Sequence, residues 1–271
     1  VKLFILAILF STFVNAKIRI PCSLSLFEDH KVQAGVEVLP VFPGAGYISA
    51  SIGVLQMLSK GKIVLERGRT SKHLVMSEKI EFITVDATET NVLITTDLAS
   101  DKNGHFRAQA SFEDLVWPVS SAVPISKDAI EIDVKQLYQD LNSVGLKYGP
   151  TFQCVKAAKV YKTRADGILQ LSENLKGKGY PLHPAILDSA FHLLAAIAKK
   201  TSDKIFVPAL FSKVQYYGNP TDTMYATVIL ERLPTAETKM IQANIYLYND
   251  KKQLVFEMED GVFAATVFTQ P

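Results

Sequence analysis

The stretch from Pro184 to Lys200 carries Ala185, Ile186, Leu187, Ala190, Phe191, Leu193, Leu194, Ala195, Ala196 and Ile197, apolar almost all round a helical wheel. A helix of that kind is buried. Asp188 and His192 stand inside it four residues apart, so both project from one face and can touch. A carboxylate in such a place is costly unless it is paired or protonated. Two roles fit the pair: a structural aspartate satisfied by His192, or a buried carboxyl kept protonated and therefore able to act as a general acid.

His30 follows Glu28-Asp29 at the end of an extended segment and precedes Pro43-Gly44-Ala45-Gly46. An imidazole titrating near its ordinary value of ~6.5 is mostly neutral at neutral pH and can take up a proton. Of the five histidines, His73 and His105 lie among polar residues and read as surface. His183 stands at the mouth of the apolar helix, where it can cap the helix. His30 and His192 are the two whose contexts suit chemistry.

These groups need a scaffold that carries them from distant parts of the chain. From Lys17 to Val38 the pattern is extended, with alternation in Ile18-Arg19-Ile20 and Ser23-Leu24-Ser25-Leu26. Tyr47 to Ser59 has helical spacing, closed by Lys60-Gly61. Ile80–Val85, Val92–Thr96 and Phe106–Phe112 read as strands, the last two joined by a hairpin at Asp101-Lys102-Asn103-Gly104. Trp117 to Asp128 has linker composition, placing a boundary there.

The order then recurs. A short helix over Val134–Val144 leads to strands at Phe152–Tyr161 and Gly167–Leu171, the apolar helix, and strands at Tyr225–Leu230, Ile241–Tyr248 and Leu254–Phe263. Pro43 and Pro184, each just ahead of a central helix, lie 141 residues apart in a chain of 271. The pattern predicts a duplicated α+β unit, one helix wrapped by an antiparallel sheet in each half. The halves are expected over residues 17–120 and 134–271, joined by 121–133.

Composition excludes several classes. With 48% hydrophobic and 21% charged residues, the chain is neither disordered nor fibrous. A formal charge of +2, spread without basic runs among aromatics, argues against nucleic acid. Cys22 and Cys154 have no metal-ligand spacing, so no metal site is expected, and both read as small buried hydrophobes. The first sixteen residues, with Lys2, an apolar run from Leu3 to Val14 and then Asn15-Ala16, fit either a secretory signal or an interdomain linker or first strand of a longer protein. The run is too short to span a bilayer, which takes ~20 apolar residues.

Four segments together resemble the dehydratase domains of polyketide synthases. DHKVQAGVEVLPVFPGAGY, from Asp29 to Tyr47, is similar to that family's first signature, and YGPTFQ, from Tyr148 to Gln153, to its second. HPAILDSAFH, from His183 to His192, resembles the third, and FVPALFSKVQYYG, from Phe206 to Gly218, a later stretch. In the right order they cover roughly Ile18 to Thr266, far more specific than any one motif.

The resemblance implies a double hotdog fold in which His30 and Asp188 face each other across one tunnel. It implies loss of water from a 3-hydroxyacyl chain carried on the phosphopantetheine arm of an acyl carrier protein, with no cofactor of the domain's own. His30 would be the base and Asp188 the acid, which must then be protonated. His192 would orient Asp188, and backbone N–H groups at Gly44 and Gly46 would hold the thioester oxygen as charge develops. Tyr148 is either a partner of the substrate hydroxyl or a core tyrosine. Other synthase domains and a second copy of the chain are the implied protein partners. The implied location is the cytoplasm, inside a synthase, or the secretory route if Lys2–Ala16 is a signal.

The spacing departs from the family in one place. Four residues separate His30 from Gly35, one more than the family pattern, and Pro43 stands thirteen residues after His30. Either Pro43 follows a loop lengthened by about four residues or Pro40 is the equivalent proline. Two other functions share the fold: a product-template-like domain steering ring closure, and a non-catalytic acyl-binding domain.

Overall fold

The computed structural model describes residues 15–21, 25–76, 80–98, 104–118, 126–176, 180–199, 201–202 and 204–266. The first part of the chain forms β1 (Asn15–Pro21), β2 (His30–Ala34), β3 (Glu37–Pro40), α1 (Gly44–Leu58), β4 (Lys62–Thr70), β5 (Phe82–Thr88), β6 (Asn91–Thr96) and β7 (Phe106–Glu113). The second forms β8 (Ile130–Glu131), α2 (Val134–Ser143), β9 (Leu146–Tyr148), β10 (Val155–Tyr161), β11 (Arg164–Gln170), α3 (Pro184–Ala198), β12 (Ile205–Tyr216), β13 (Thr223–Leu230), β14 (Met240–Tyr248) and β15 (Leu254–Thr266). The apolar run of the signal-like segment, Cys22, the hairpin tip at 101–103 and residues 121–125 of the expected linker lie outside the described residues. Asn15 and Ala16 open β1, and Ile130–Glu131, inside the expected linker, pairs with β10.

Period-two burial drives the strands. In β14, Ile241, Ala243, Ile245 and Leu247 are buried while the residues between them are only half-buried, and in β6 Val92 and Ile94 are buried between exposed Asn91 and Leu93 and half-buried Thr95. One twelve-stranded sheet results, in the order β1-β5-β6-β7-β4-β12-β15-β14-β13-β11-β10-β8. Helix α1 lies against β1, β4 and β5, helix α3 against β10, β11 and β13, and the two helices meet. Each helix is thus wrapped by its own part of the sheet, the double hotdog arrangement.

Two strands absent from the sequence reading hold the halves together. β4 pairs antiparallel with β12, from Ile63 opposite Tyr216 to Arg69 opposite Leu210. Both have broken patterns: Arg67 takes a positive φ of 52° just before Gly68, and Pro208 interrupts β12, where a register shift lets the ladder continue.

Helix α1 starts at Gly44, three residues before the sequence suggests. Pro43 is its extended N-cap residue, with ψ 146°, and the Gly46 N–H bonds to the Pro43 carbonyl at 2.8 Å. The glycines are therefore the first turn of the helix. Their small size is needed because Pro208 closes on Gly44 and the Phe42 ring on Gly46.

A second sheet of three strands, β3-β2-β9, sits beside the large one. It joins the halves again, with His30 directly opposite Tyr148. No helix among the described residues is long and apolar enough to cross a membrane.

Candidate active site

His30 opens β2 and is buried, 7% exposed. Its Nδ1 bonds to the Val41 carbonyl at 2.8 Å, while the Val41 N–H donates to the His30 carbonyl at 2.9 Å. A carbonyl only accepts, so the neutral ring carries its proton on Nδ1 and leaves Nε2 bare. Burial is the largest influence on this imidazole and lowers its pKa; the Asp188 charge opposes it less strongly. The rings of Tyr148 and Phe152 meet it edge-on at 5.3 and 5.1 Å.

The segment from His30 to Pro43 is built into this arrangement. β2 and β3 form a hairpin turning at Gly35, with φ 62°, and Pro40 ends it opposite Lys31. Beyond it, the Phe42 N–H bonds to the Leu74 carbonyl at 2.9 Å and the Met76 N–H to the Pro40 carbonyl at 2.8 Å. The segment between Pro40 and Pro43 is thus pinned, and its Val41 supplies the carbonyl that orients His30.

Asp188 is 4% exposed and His192 2%, one turn apart on α3. His192 Nε2 lies 2.9 Å from Asp188 Oδ2, and the same oxygen is 3.7 Å from His30 Nε2. His192 Nδ1 is 3.4 Å from the hydroxyl of Tyr138 on α2, which accepts the Val155 N–H at 3.1 Å. Ser189, next to Asp188, donates to the Phe152 carbonyl at 3.0 Å and accepts from the Cys154 N–H at 3.2 Å. These bonds fix the angle of α3 against the loop entering β10.

The acidic neighbour of His30 ties the first part of the chain to the second. Asp29 accepts from both Thr151 Oγ1, at 2.6 Å, and the Thr151 N–H, at 3.0 Å. The Asp29 carbonyl also accepts from the Gly149 N–H at 2.7 Å, and a side chain at position 149 would collide with the Asp29 carboxylate. Tyr148 is set by the same turn, with its ring 4.0 Å from that of His192. Burial raises the Tyr148 hydroxyl well above its ordinary pKa, so it keeps its proton.

His30, Gly44, Tyr148, Asp188 and His192 all line one cavity of about 350 Å³. Its other walls include Leu137, Leu141 and Val144 of α2, Leu194 of α3, and Ile205 and Phe206 of β12. Gly46 is not on this wall. Its N–H is spent on the Pro43 carbonyl and its open side faces Phe42, so the backbone donor position at the helix start falls to Gly44. The site is an apolar pocket with a bare imidazole nitrogen and a carboxyl on one side and a helix N-terminus among its walls.

Of the two histidines read as surface, His73 is exposed and His105 is not. His73 is exposed but sits at the cavity rim, where partial desolvation and then the nearby His30 lower its pKa. His105 is buried, its Nδ1 3.4 Å from the Lys72 carbonyl, because the turn before β7 folds under the segment after β4. His183 caps α3, accepting the Ala185 N–H at 3.2 Å. Cys154 is buried, with its thiol pushed up to about 11 by desolvation. Val41, Asp29, Thr151 and Tyr138 were not singled out from the sequence. Val41 and Asp29 lie in the first signature segment and Thr151 in YGPTFQ, while Tyr138 lies outside all four segments.

Two helices wrapped by one continuous sheet, with a histidine and an aspartate meeting at a shared cavity, define a double hotdog domain. The solved structures it resembles include an isomerase-inactive variant of GphF DH1 (TM-score 0.82, 16% identity, 96% of this chain and 95% of that one). Another is the dehydratase domain from the CurK module of the curacin polyketide synthase (TM-score 0.76, 21% identity, 96% of each chain). A third is a trans-AT polyketide synthase dehydratase domain from Brevibacillus brevis (TM-score 0.80, 16% identity, 96% of each chain).

A sequence profile described as the polyketide synthase dehydratase N-terminal domain matches residues 117–267. This chain belongs to the polyketide synthase dehydratase family. Among curated relatives, naringenin synthase of Pestalotiopsis fici is 34% identical over 34% of this chain and 4% of its own length. The polyketide synthase component of compactin nonaketide synthase from Penicillium citrinum is 21% identical over 93% of this chain and 10% of its own length. The chain thus spans a small fraction of the length of the curated relatives it matches.

Proposed function

We propose that this chain removes water from a 3-hydroxyacyl thioester held on the phosphopantetheine arm of an acyl carrier protein, giving a 2,3-enoyl thioester. The observation that carries the reading is the 3.7 Å approach of His30 Nε2 to Asp188 Oδ2 at the wall of one apolar cavity. Elimination needs a base at the α-carbon and a proton donor at the β-oxygen of one substrate, groups separated by a single carbon.

His30 Nε2, bare because Nδ1 is engaged with Val41, takes the α-proton. The electron pair moves onto the thioester oxygen, near the N-terminal turn of α1 at Gly44, where backbone N–H groups favour negative charge. As the pair returns to form the C=C bond, the C–O bond breaks and Asp188 protonates the departing hydroxyl, which leaves as water. His30 is then protonated and Asp188 ionised. Passing that proton from one to the other restores the starting state. Metal chemistry is not part of this scheme.

Two solved relatives are variants described as inactive, an Asp→Asn change in the CurK dehydratase and a His→Phe change in the CurJ dehydratase, the same residue types. The great length of the relatives supports partnership with other synthase domains. The division into hotdog halves at 17–120 and 134–271, the carrier-protein partner and pairing of two copies belong to the same reading. Incubation with a 3-hydroxyacyl thioester should generate enoyl absorbance. No enoyl product, with ring closure of a poly-β-keto substrate instead, would replace dehydration by cyclisation.

A further inference from the structure

We infer that Tyr138 is a positioning residue of this site, which acts through His192 to keep the Asp188 proton directed at the substrate. The inference rests on the reading of Asp188 as the acid and assigns work to a residue that the elimination scheme does not use.

The Tyr138 oxygen accepts the Val155 N–H at 3.1 Å and lies 3.4 Å from His192 Nδ1, with the two rings edge to face at 87°. With Val155 as donor, the hydroxyl's own proton needs an acceptor, and leaving it without one in this half-buried place is costly. Two acceptors are near, Ser189 and His192. Ser189 Oγ already accepts from Cys154 and donates to Phe152, whereas His192 Nδ1 lies 3.4 Å from the hydroxyl with a lone pair not otherwise engaged, so His192 Nδ1 is the better partner. Burial also raises the Tyr138 pKa, so its O–H persists as a donor throughout the working pH range.

A neutral imidazole carries one ring proton. When Nδ1 accepts from Tyr138, that proton sits on Nε2 and is donated to Asp188 Oδ2 at 2.9 Å. The opposite tautomer would present a bare Nε2 to Asp188 and draw the acid proton into a bond pointing away from the substrate. With Nε2 protonated, His192 cannot accept it, and His30 Nε2 at 3.7 Å is beyond hydrogen-bond reach. The acid proton then has no acceptor on these two rings until a substrate hydroxyl enters. His30, Tyr148, Tyr138 and Ser189 are the groups that face the pair from β2, β9, α2 and α3, and Tyr138 alone bonds to His192 Nδ1 among the described residues.

The test is nitrogen NMR of the histidine-labelled full chain at neutral pH, with the His192 signals assigned by their loss in His192→Gln. The expected wild-type spectrum has a protonated Nε2 and a bare Nδ1. Tyr138→Phe should move His192 toward the Nδ1-protonated form and lower kcat about tenfold, with KM nearly unchanged. An Nδ1-protonated wild type, or a Tyr138→Phe protein whose His192 signal or kcat is unchanged, overturns the inference. If Tyr138→Phe fails to fold, the wild-type spectrum decides alone. The spectrum needs no turnover, so loss of the dehydratase reading, seen as full activity in Asp188→Asn, is recorded separately.

Discussion

His30 Nε2 stands 3.7 Å from Asp188 Oδ2, although the two residues come from opposite parts of the chain. Each has a partner behind it, Val41 for His30 and His192 for Asp188, so neither ring nor carboxyl can turn away. The pair is too far apart for a hydrogen bond and close enough to address neighbouring atoms of one substrate.

Asp188→Asn keeps the shape and removes the transferable proton. An amide oxygen can still accept the His192 N–H, so the melting temperature should barely move. A positioned acid contributes roughly 10²–10⁴-fold, and turnover should fall by that amount. Paired measurement of kcat and thermal unfolding checks this. Wild-type turnover would leave Asp188 as a structural partner of His192.

His30→Ala should abolish elimination and also cost stability. The ring packs against Tyr148 and Phe152, and its loss strands the buried Val41 carbonyl, a defect worth about 1–3 kcal/mol. The wall position of this base thus does not free it from packing duties. Denaturant unfolding of the variant reads the loss.

The pH dependence follows from the depressed His30 pKa, which burial takes below the ordinary 6.5. The unfolded chain binds this proton more readily than the folded one. Stability from the neutral ring is therefore fully present above pH 6.5 and declines as pH falls from 6.5 through the lower folded pKa. The acid limb of kcat/KM should have its midpoint below 6.5. A midpoint above it would show that Asp188 outweighs burial.

Gly44→Ala and Gly46→Ala should separate. A methyl at Gly44 collides with Pro208 at the cavity wall, so turnover should suffer. A methyl at Gly46, which is not itself on the cavity wall, meets the Phe42 ring at 2.9 Å, so stability should fall most, with KM changed only as far as Phe42 on the wall is displaced. Equal KM changes in both would put Gly46 back beside the substrate.

Thr151→Val removes the hydroxyl bond to Asp29 and keeps the backbone one, at 2.6 and 3.0 Å respectively. A hydrogen bond to a charged group is worth ~1.5–3 kcal/mol, which sets the expected loss in unfolding free energy. Because Asp29 precedes His30, kcat should drop as well. Unchanged kcat in a destabilised protein would make the contact purely structural.

The sequence by itself determined the parts whose signals are local. Apolar residues all round Pro184–Lys200 demanded a buried helix, and the i, i+4 spacing put Asp188 and His192 on one face of it. The glycines after Pro43, by contrast, lie outside the helical spacing that begins at Tyr47, because only the close approach of Pro208 and Phe42 reveals why no side chain is tolerated there. The tertiary structure decided what depends on long-range register. Arg67 at positive φ and Pro208 inside a strand hid β4 and β12 from pattern reading, yet their pairing closes the sheet between the halves. The Asp29 contact to Thr151 spans 122 residues and that of Tyr138 to His192 spans 54. No periodicity encodes such contacts, since they arise only when separate elements dock, and with them came the distance that makes His30 and Asp188 a pair.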